Sequence, residues 1–202
     1  MTIDVPDLDD PSTDPFDVAR AAAAVIADRT GVARHDVALV LGSGWGGAAD
    51  LLGETVAEVP AAEVPGFLAP AVPGHGGTLR SVRLADGARH ALVLGARTHL
   101  YEGRGVRRVV HGVRTAAAAG ARTLVLTNGC GGLDPSWRPG TAVLIRDHIN
   151  LTATSPLEGA TFVDLDEEIE RAAGATVPQI FEAEGEASVR RRERAAIEAL
   201  GA

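Results

Sequence analysis

Val37-Ala-Leu-Val-Leu-Gly-Ser-Gly-Trp-Gly-Gly47 is the stretch on which the fold turns. An unbroken apolar run of this length, closed by glycines, reads as a strand buried on both faces. Trp45 to Leu52 then reads as a short helix. Thr123-Leu-Val-Leu126 repeats the pattern and again empties into glycines, Thr127-Asn-Gly-Cys-Gly-Gly132, and Thr141 to Ile145 reads as a third strand. Asp14 caps a helix with Pro15 at its first position, and Gly31 stops it; Val18, Ala22, Val25 and Ile26 form its stripe. Thr78 to Leu84 and Arg89 to Leu94 pair across Asp86-Gly87. Gly105 to Ala119 is helical, with Val106, Val109, Val110 and Val113 on one side. Strands alternating with helices make this an α/β domain, with ligands expected at the strand C-termini.

Composition narrows the function classes. A formal charge of −8 and no long basic run argue against nucleic acid as a partner. Charged residues interrupt every apolar stretch, so no membrane span is expected. The acidic, proline-bearing start, Met1 to Pro15, is unlike a signal peptide. One cysteine, Cys130, leaves no intramolecular disulfide, which suits a reducing cytoplasm. After Leu165 the texture turns to charge clusters. Ser188 to Leu200 suggests an amphipathic helix with Val189, Ala196, Ile197 and Leu200 inward.

Four glycine-bearing loops carry candidate chemistry. Gly42-Ser-Gly-Trp-Gly-Gly47 offers bare backbone N–H groups and the Ser43 hydroxyl to an anion. A dinucleotide loop and a plain tight turn remain alternatives; the dinucleotide would need Glu58 or Glu63 on the ribose. Val72-Pro-Gly-His-Gly-Gly77 holds His75 between glycines, and by itself reads as a solvent-exposed turn. In Gly95-Ala-Arg-Thr-His-Leu-Tyr-Glu-Gly103, extended backbone would put Arg97, His99 and Tyr101 on one face, suited to an oxyanion beside a polyol. The loop at Thr127–Gly132 lets backbone approach a ligand closely, and Cys130 within it reads as a small buried thiol rather than a nucleophile. Metal spacing among His75, His99 and His148 is poor.

Taken in order, these segments resemble the trimeric-type purine nucleoside phosphorylases. The likeness runs through Gly42-Ser-Gly-Trp-Gly46, Pro73-Gly-His-Gly76, Arg97-Thr-His-Leu-Tyr-Glu-Gly103, Thr127-Asn-Gly-Cys-Gly-Gly-Leu133, Arg146-Asp-His-Ile-Asn-Leu151 and Ser155-Pro-Leu-Glu-Gly159. The resemblance implies a mixed central β-sheet flanked by helices. It also implies phosphorolysis of purine ribo- and 2′-deoxyribonucleosides to free base and pentose 1-phosphate. Phosphate would be held by Ser43, His75, Arg97, His99 and the backbone at Gly129; His75, His99 and Glu102 would be catalytic, and Tyr101 and Gly131 would meet ribose and base. Inorganic phosphate would be the co-substrate with no other cofactor and no metal, in a cytoplasmic homotrimer serving purine salvage.

The expected organisation is an acidic arm at 1–14, a phosphorylase-like α/β domain at 15–165, and a divergent charged tail at 166–202 ending in a helix. Against the family pattern the sheet is expected to be C-terminally incomplete. The tail matches none of the family's base-recognition segment, so the chain is expected to lack the C-terminal third. A truncated homologue that binds phosphate or ribose phosphate without turnover is the alternative to an active enzyme.

Overall fold

The computed structural model describes residues 7–42, 44–68, 77–152, 154–157 and 165–200. They fall into two compact units, Met1–Pro156 and Leu157–Ala202. Helix α1 (Pro15–Thr30) opens the first unit. Asp14 Oδ1 accepts the Phe16 N–H at 2.9 Å, and Gly31 closes the helix in the left-handed conformation. Strands β1 (Val37–Val40), β2 (Gly53–Pro60), β3 (Thr78–Leu84), β4 (His90–Leu94) and β5 (Thr123–Leu126) form one mixed sheet ordered β2-β3-β4-β1-β5. β1 runs parallel to β4 and β5, whereas β2–β3 and β3–β4 are antiparallel.

Period-two alternation divides the sheet's two faces. Ala38, Leu92 and Leu94 pack with Ala22 and Ile26 of α1 and with Ala116 and Ala119. Leu39, Ala91 and Val93 turn the other way, onto Val82 and onto Ala49 of a 3₁₀ turn at Gly46–Leu51. Asp86 shapes the β3–β4 turn by accepting the backbone N–H groups of Arg89 and Ala88, and these bonds, with the Arg89 side chain, pull its carboxyl down to about 2.

Several sequence expectations need correction. Thr141–Ile145 is not a strand: it is irregular coil, with Val143, Leu144 and Ile145 largely exposed. A strand needs a ladder, and β5 has no described neighbour on its outer side. β2 was not expected, because Pro60 argues against a strand; the proline sits at the strand's last position, where it is tolerated.

The helix expected over Gly105–Ala119 breaks at Val110 into α2 (Gly105–Val109) and α3 (His111–Ala118). Its buried side is not the valine stripe. His111, Arg114, Thr115 and Ala116 are buried, while Val113 is exposed. Polar groups can occupy that face because partners await them: His111 Nε2 lies 2.8 Å from the Pro65 carbonyl and Arg114 Nη2 donates to the Pro156 carbonyl at 2.6 Å. Gly66 explains why the imidazole fits. It adopts φ +75°, and a Cβ there would stand 2.5 Å from His111 Nε2.

The second unit packs α4 (Leu165–Ala173), α5 (Val177–Glu184) and α6 (Glu186–Leu200) around Ile169, Ile180 and Val189. Ile197, expected inward, is exposed. Among the described residues, no helix is long and apolar enough to cross a membrane.

Candidate anion-binding site

Register brings the glycine loops together. Val40 of β1 is level with Leu94 of β4 on one side and Leu126 of β5 on the other, so three parallel strands end at the same edge of the sheet. The loops that leave them begin at Leu41, Gly95 and Thr127. This is the strand-end position where open α/β sheets bind ligands. A cavity of about 470 Å³ opens there, with Val40, Leu94, Leu126 and Phe67 among its apolar lining and Arg97, His99 and Tyr101 among its polar lining.

The first and fourth loops touch directly. The Gly42 N–H donates to Thr127 Oγ1 at 2.9 Å, and the Thr127 N–H donates to the Val40 carbonyl at 3.0 Å. A Cβ on Gly42 would stand 2.4 Å from the Thr127 carbonyl oxygen and 2.8 Å from Asn128 Cα. Glycine is needed here for close approach of two backbones, so the Gly42 loop is not a free-standing turn.

The third loop departs from its expected geometry. His99 is extended, at φ −98° and ψ 147°, but Leu100–Glu102 then closes into a 3₁₀ turn ended by Gly103 in the left-handed region. Strand alternation therefore does not carry to Tyr101. The rings still meet, because the turn stacks Tyr101 on His99 with centroids 4.7 Å apart and planes 20° from parallel. Tyr101 remains 80% exposed, with its phenol open to whatever enters the site.

Glu102 organises this turn. Its Oε1 accepts the His99 backbone N–H at 2.8 Å and the His99 Nδ1–H at 2.9 Å, while the Glu102 N–H donates to the His99 carbonyl at 3.0 Å. Those two bonds hold the Glu102 carboxyl below its ordinary value. With Nδ1 committed to Glu102, Nε2 is the histidine nitrogen left for a ligand. Arg97 is exposed, and its guanidinium makes no hydrogen bond or ion pair among the described residues. An unpaired fork of donors beside an oriented imidazole suits an oxyanion.

Other expected residues are placed less completely. Ser43 and His75 lie outside the described residues, as does part of the Ser155–Gly159 segment. Gly129 and Gly131 are exposed in the coil after β5. Cys130 is exposed too, contrary to the expected buried thiol, since no described element covers that coil. The ribose-binding acids required by a dinucleotide are engaged elsewhere: Glu58 pairs with Arg80 at 3.0 Å, and Glu63 pairs with Arg29. β2 also lies at the far edge of the sheet, not beside β1 as a dinucleotide fold needs.

Sequence reasoning missed His111, which lines the same cavity. Its ring is 1% exposed and edge-on to Phe67, with centroids 4.8 Å apart. Burial, abetted by the charges of Arg108 and Arg114 and opposed by the Pro65 hydrogen bond, lowers it to about 4. Its place among valines gave no local signal of a buried polar anchor.

Comparison with known proteins gives one consistent result. The Phosphorylase superfamily profile matches residues 36–202. A purine nucleoside phosphorylase of Cellulomonas sp. is 74% identical over 163 residues, covering 79% of this chain and 58% of that protein. Its Mycobacterium tuberculosis counterpart is 56% identical over 156 residues, covering 77% and 58%. The chain thus spans 58% of the length of these curated relatives. A crystal structure of purine nucleoside phosphorylase isoform 2 from Schistosoma mansoni, in complex with cytosine and ribose-1-phosphate, superposes with a TM-score of 0.60. It is 28% identical, and the match covers 78% of this chain and 59% of that one.

Proposed function

The chain belongs to the phosphorylase superfamily, and on that premise we propose that it carries the phosphate-binding part of a purine nucleoside phosphorylase site. The single observation that carries this is the meeting of the Gly42, Arg97–Glu102 and Thr127 loops at one sheet edge, with Arg97 unpaired among the described residues and His99 oriented by Glu102.

In the proposed reaction a phosphate oxygen bonds to the anomeric carbon of a purine ribo- or 2′-deoxyribonucleoside as the glycosidic C–N bond breaks. The electron pair leaves with the purine, and the pentose 1-phosphate remains. Arg97 supplies the charged fork that holds phosphate, and His99 Nε2, the ring nitrogen not engaged by Glu102, accepts the phosphate's P–O–H. The backbone at Gly129 and the Ser43 hydroxyl complete the anion site, with His75 handling a proton beside it. Tyr101 packs against the ribose and Gly131 borders the base. Holding the nucleophile in line with the anomeric carbon is the main service such a site performs. Inorganic phosphate is the only co-substrate the reading requires, and it carries with it a cytoplasmic homotrimer acting in purine salvage.

Incubation of the chain with inosine and phosphate tests this, with hypoxanthine release as the readout. No release at high protein concentration refutes turnover. The alternative to turnover is binding of phosphate or ribose phosphate alone. Calorimetric phosphate binding in a preparation that releases no hypoxanthine selects it.

A further inference from the structure

The acidic segment before α1 has a structural job that its composition does not reveal. Arg107, on α2, gathers its backbone: Nη1 donates to the carbonyls of Asp10 at 2.8 Å and Leu8 at 3.3 Å, and Nη2 donates to that of Thr13 at 2.7 Å. Arg108 grips its side chains. Nε and Nη2 form a fork on Asp9 at 2.7 and 2.6 Å, and Nη2 also reaches Asp7 at 3.2 Å. The Arg108 side chain is only 11% exposed and touches the Gly66 carbonyl at 3.4 Å. Leu8 is 1% exposed, and a Cβ on Gly66 would stand 2.9 Å from it.

α2 is five residues long, too short to be stable by itself. It also receives the chain directly from the Leu100–Glu102 turn, with only Gly103 and Arg104 between. The other end of that loop is anchored, since it leaves the buried strand β4 at Leu94. What holds α2 therefore sets where the turn, and with it His99, can sit.

We propose that residues 7–13 form a strap which, through Arg107, Arg108 and Leu8, positions the Arg97–Glu102 turn for its anion. The anion half of this statement rests on the phosphate-site reading above; the positioning half does not. Leu8, Arg107 and Arg108 are positioning residues, acting through α2.

Amide hydrogen exchange and phosphate calorimetry on the full chain test both halves, using Asp7→Asn/Asp9→Asn and, separately, Leu8→Ala. The reporters are the amides of His99, Glu102 and Gly103, which donate to Glu102 Oε1, the His99 carbonyl and the Leu100 carbonyl. In the double variant they exchange about tenfold faster, while Leu92 and Val93 in β4 are unchanged. Inorganic phosphate binds roughly threefold to tenfold more weakly, because Arg108 loses its carboxylate partners and α2 no longer fixes the turn, an effect that outweighs the removal of two exposed negative charges. Asp9→Glu restores both.

Unchanged protection at the three reporters overturns the strap. So does acceleration shared equally by Leu92 and Val93, which would mark the segment as general ballast. If Leu8→Ala does not fold, the double variant still decides. A wild-type chain that binds no phosphate, while the reporters respond as stated, upholds the strap and refutes the phosphate-site reading alone.

Discussion

Acid should weaken the first unit well before its carboxylates titrate. His35 and His111 are each 1% exposed, and both are lowered to about 4 from an ordinary 6.5. For His35 the first cause is burial, reinforced by His90 and opposed by Asp36; its Nε2 lies 2.9 Å from Ser81 Oγ. The unfolded chain takes up these protons near its ordinary value, but the folded chain resists them. Stability is therefore fully present above about pH 6.5 and is lost as pH falls toward 4.

A shift of this size is worth about 3 kcal/mol per histidine once both states are protonated, and about 2 kcal/mol at pH 5. Two such sites would remove about 4 kcal/mol between neutrality and pH 5, a large share of a typical domain's 5–15 kcal/mol. Urea unfolding followed by tryptophan fluorescence measures this, since Trp45 and Trp137 both lie in the first unit. The midpoint should fall steadily across that window. A flat or rising stability between about pH 6.5 and pH 5 would show that the imidazoles are not held neutral by burial.

Arg97→Ala should weaken phosphate binding about tenfold to a hundredfold, the worth of a charge-assisted fork, with Arg97→Lys recovering part; calorimetry at fixed ionic strength reads it, and an unchanged affinity removes Arg97 from the site. Glu102→Gln leaves a weaker acceptor for the two His99 donors and should cost about 1 kcal/mol in phosphate affinity, with little change in the thermal midpoint. A lower midpoint with full affinity would make Glu102 purely structural. Gly42→Ala drives a methyl into the Thr127–Asn128 backbone and should destabilise the first unit by about 1–3 kcal/mol, seen as a lower urea midpoint. Wild-type stability in that variant would mean the two loops are not in contact.

Much of the scaffold was legible because its signals are local. Asp14, Pro15 and Gly31 bound α1 as their caps dictate, and the apolar runs at 37–41 and 123–126 became adjacent parallel strands. Asp86-Gly87 turned β3 into β4. Within the site, the loops were identifiable by their glycines and by the clustering of arginine, histidine and tyrosine after β4.

What remained unreadable depended on partners distant in the chain. The run at 141–145 has the composition of a strand, yet composition cannot supply the neighbouring ladder that makes one. Val113 is exposed and His111 buried because a carbonyl at Pro65, 46 residues away in sequence, satisfies the imidazole. Ile197 lies exposed because the core of its unit closes on Ile169, Ile180 and Val189 instead.

The sequence by itself determined α1, the apolar strands β1 and β5, the β3–β4 turn and the glycine loops that follow the strands. Caps, turns and period-two runs act over a few residues, so their outcome is written where they stand. Only the tertiary structure decided that three of those loops leave the sheet at one level, that Leu100–Glu102 coils to stack Tyr101 on His99, and that residues 7–13 hold the helix behind them. Each of these is set by register or by a hydrogen bond spanning the chain, whose free energy exists only once the distant partner has arrived.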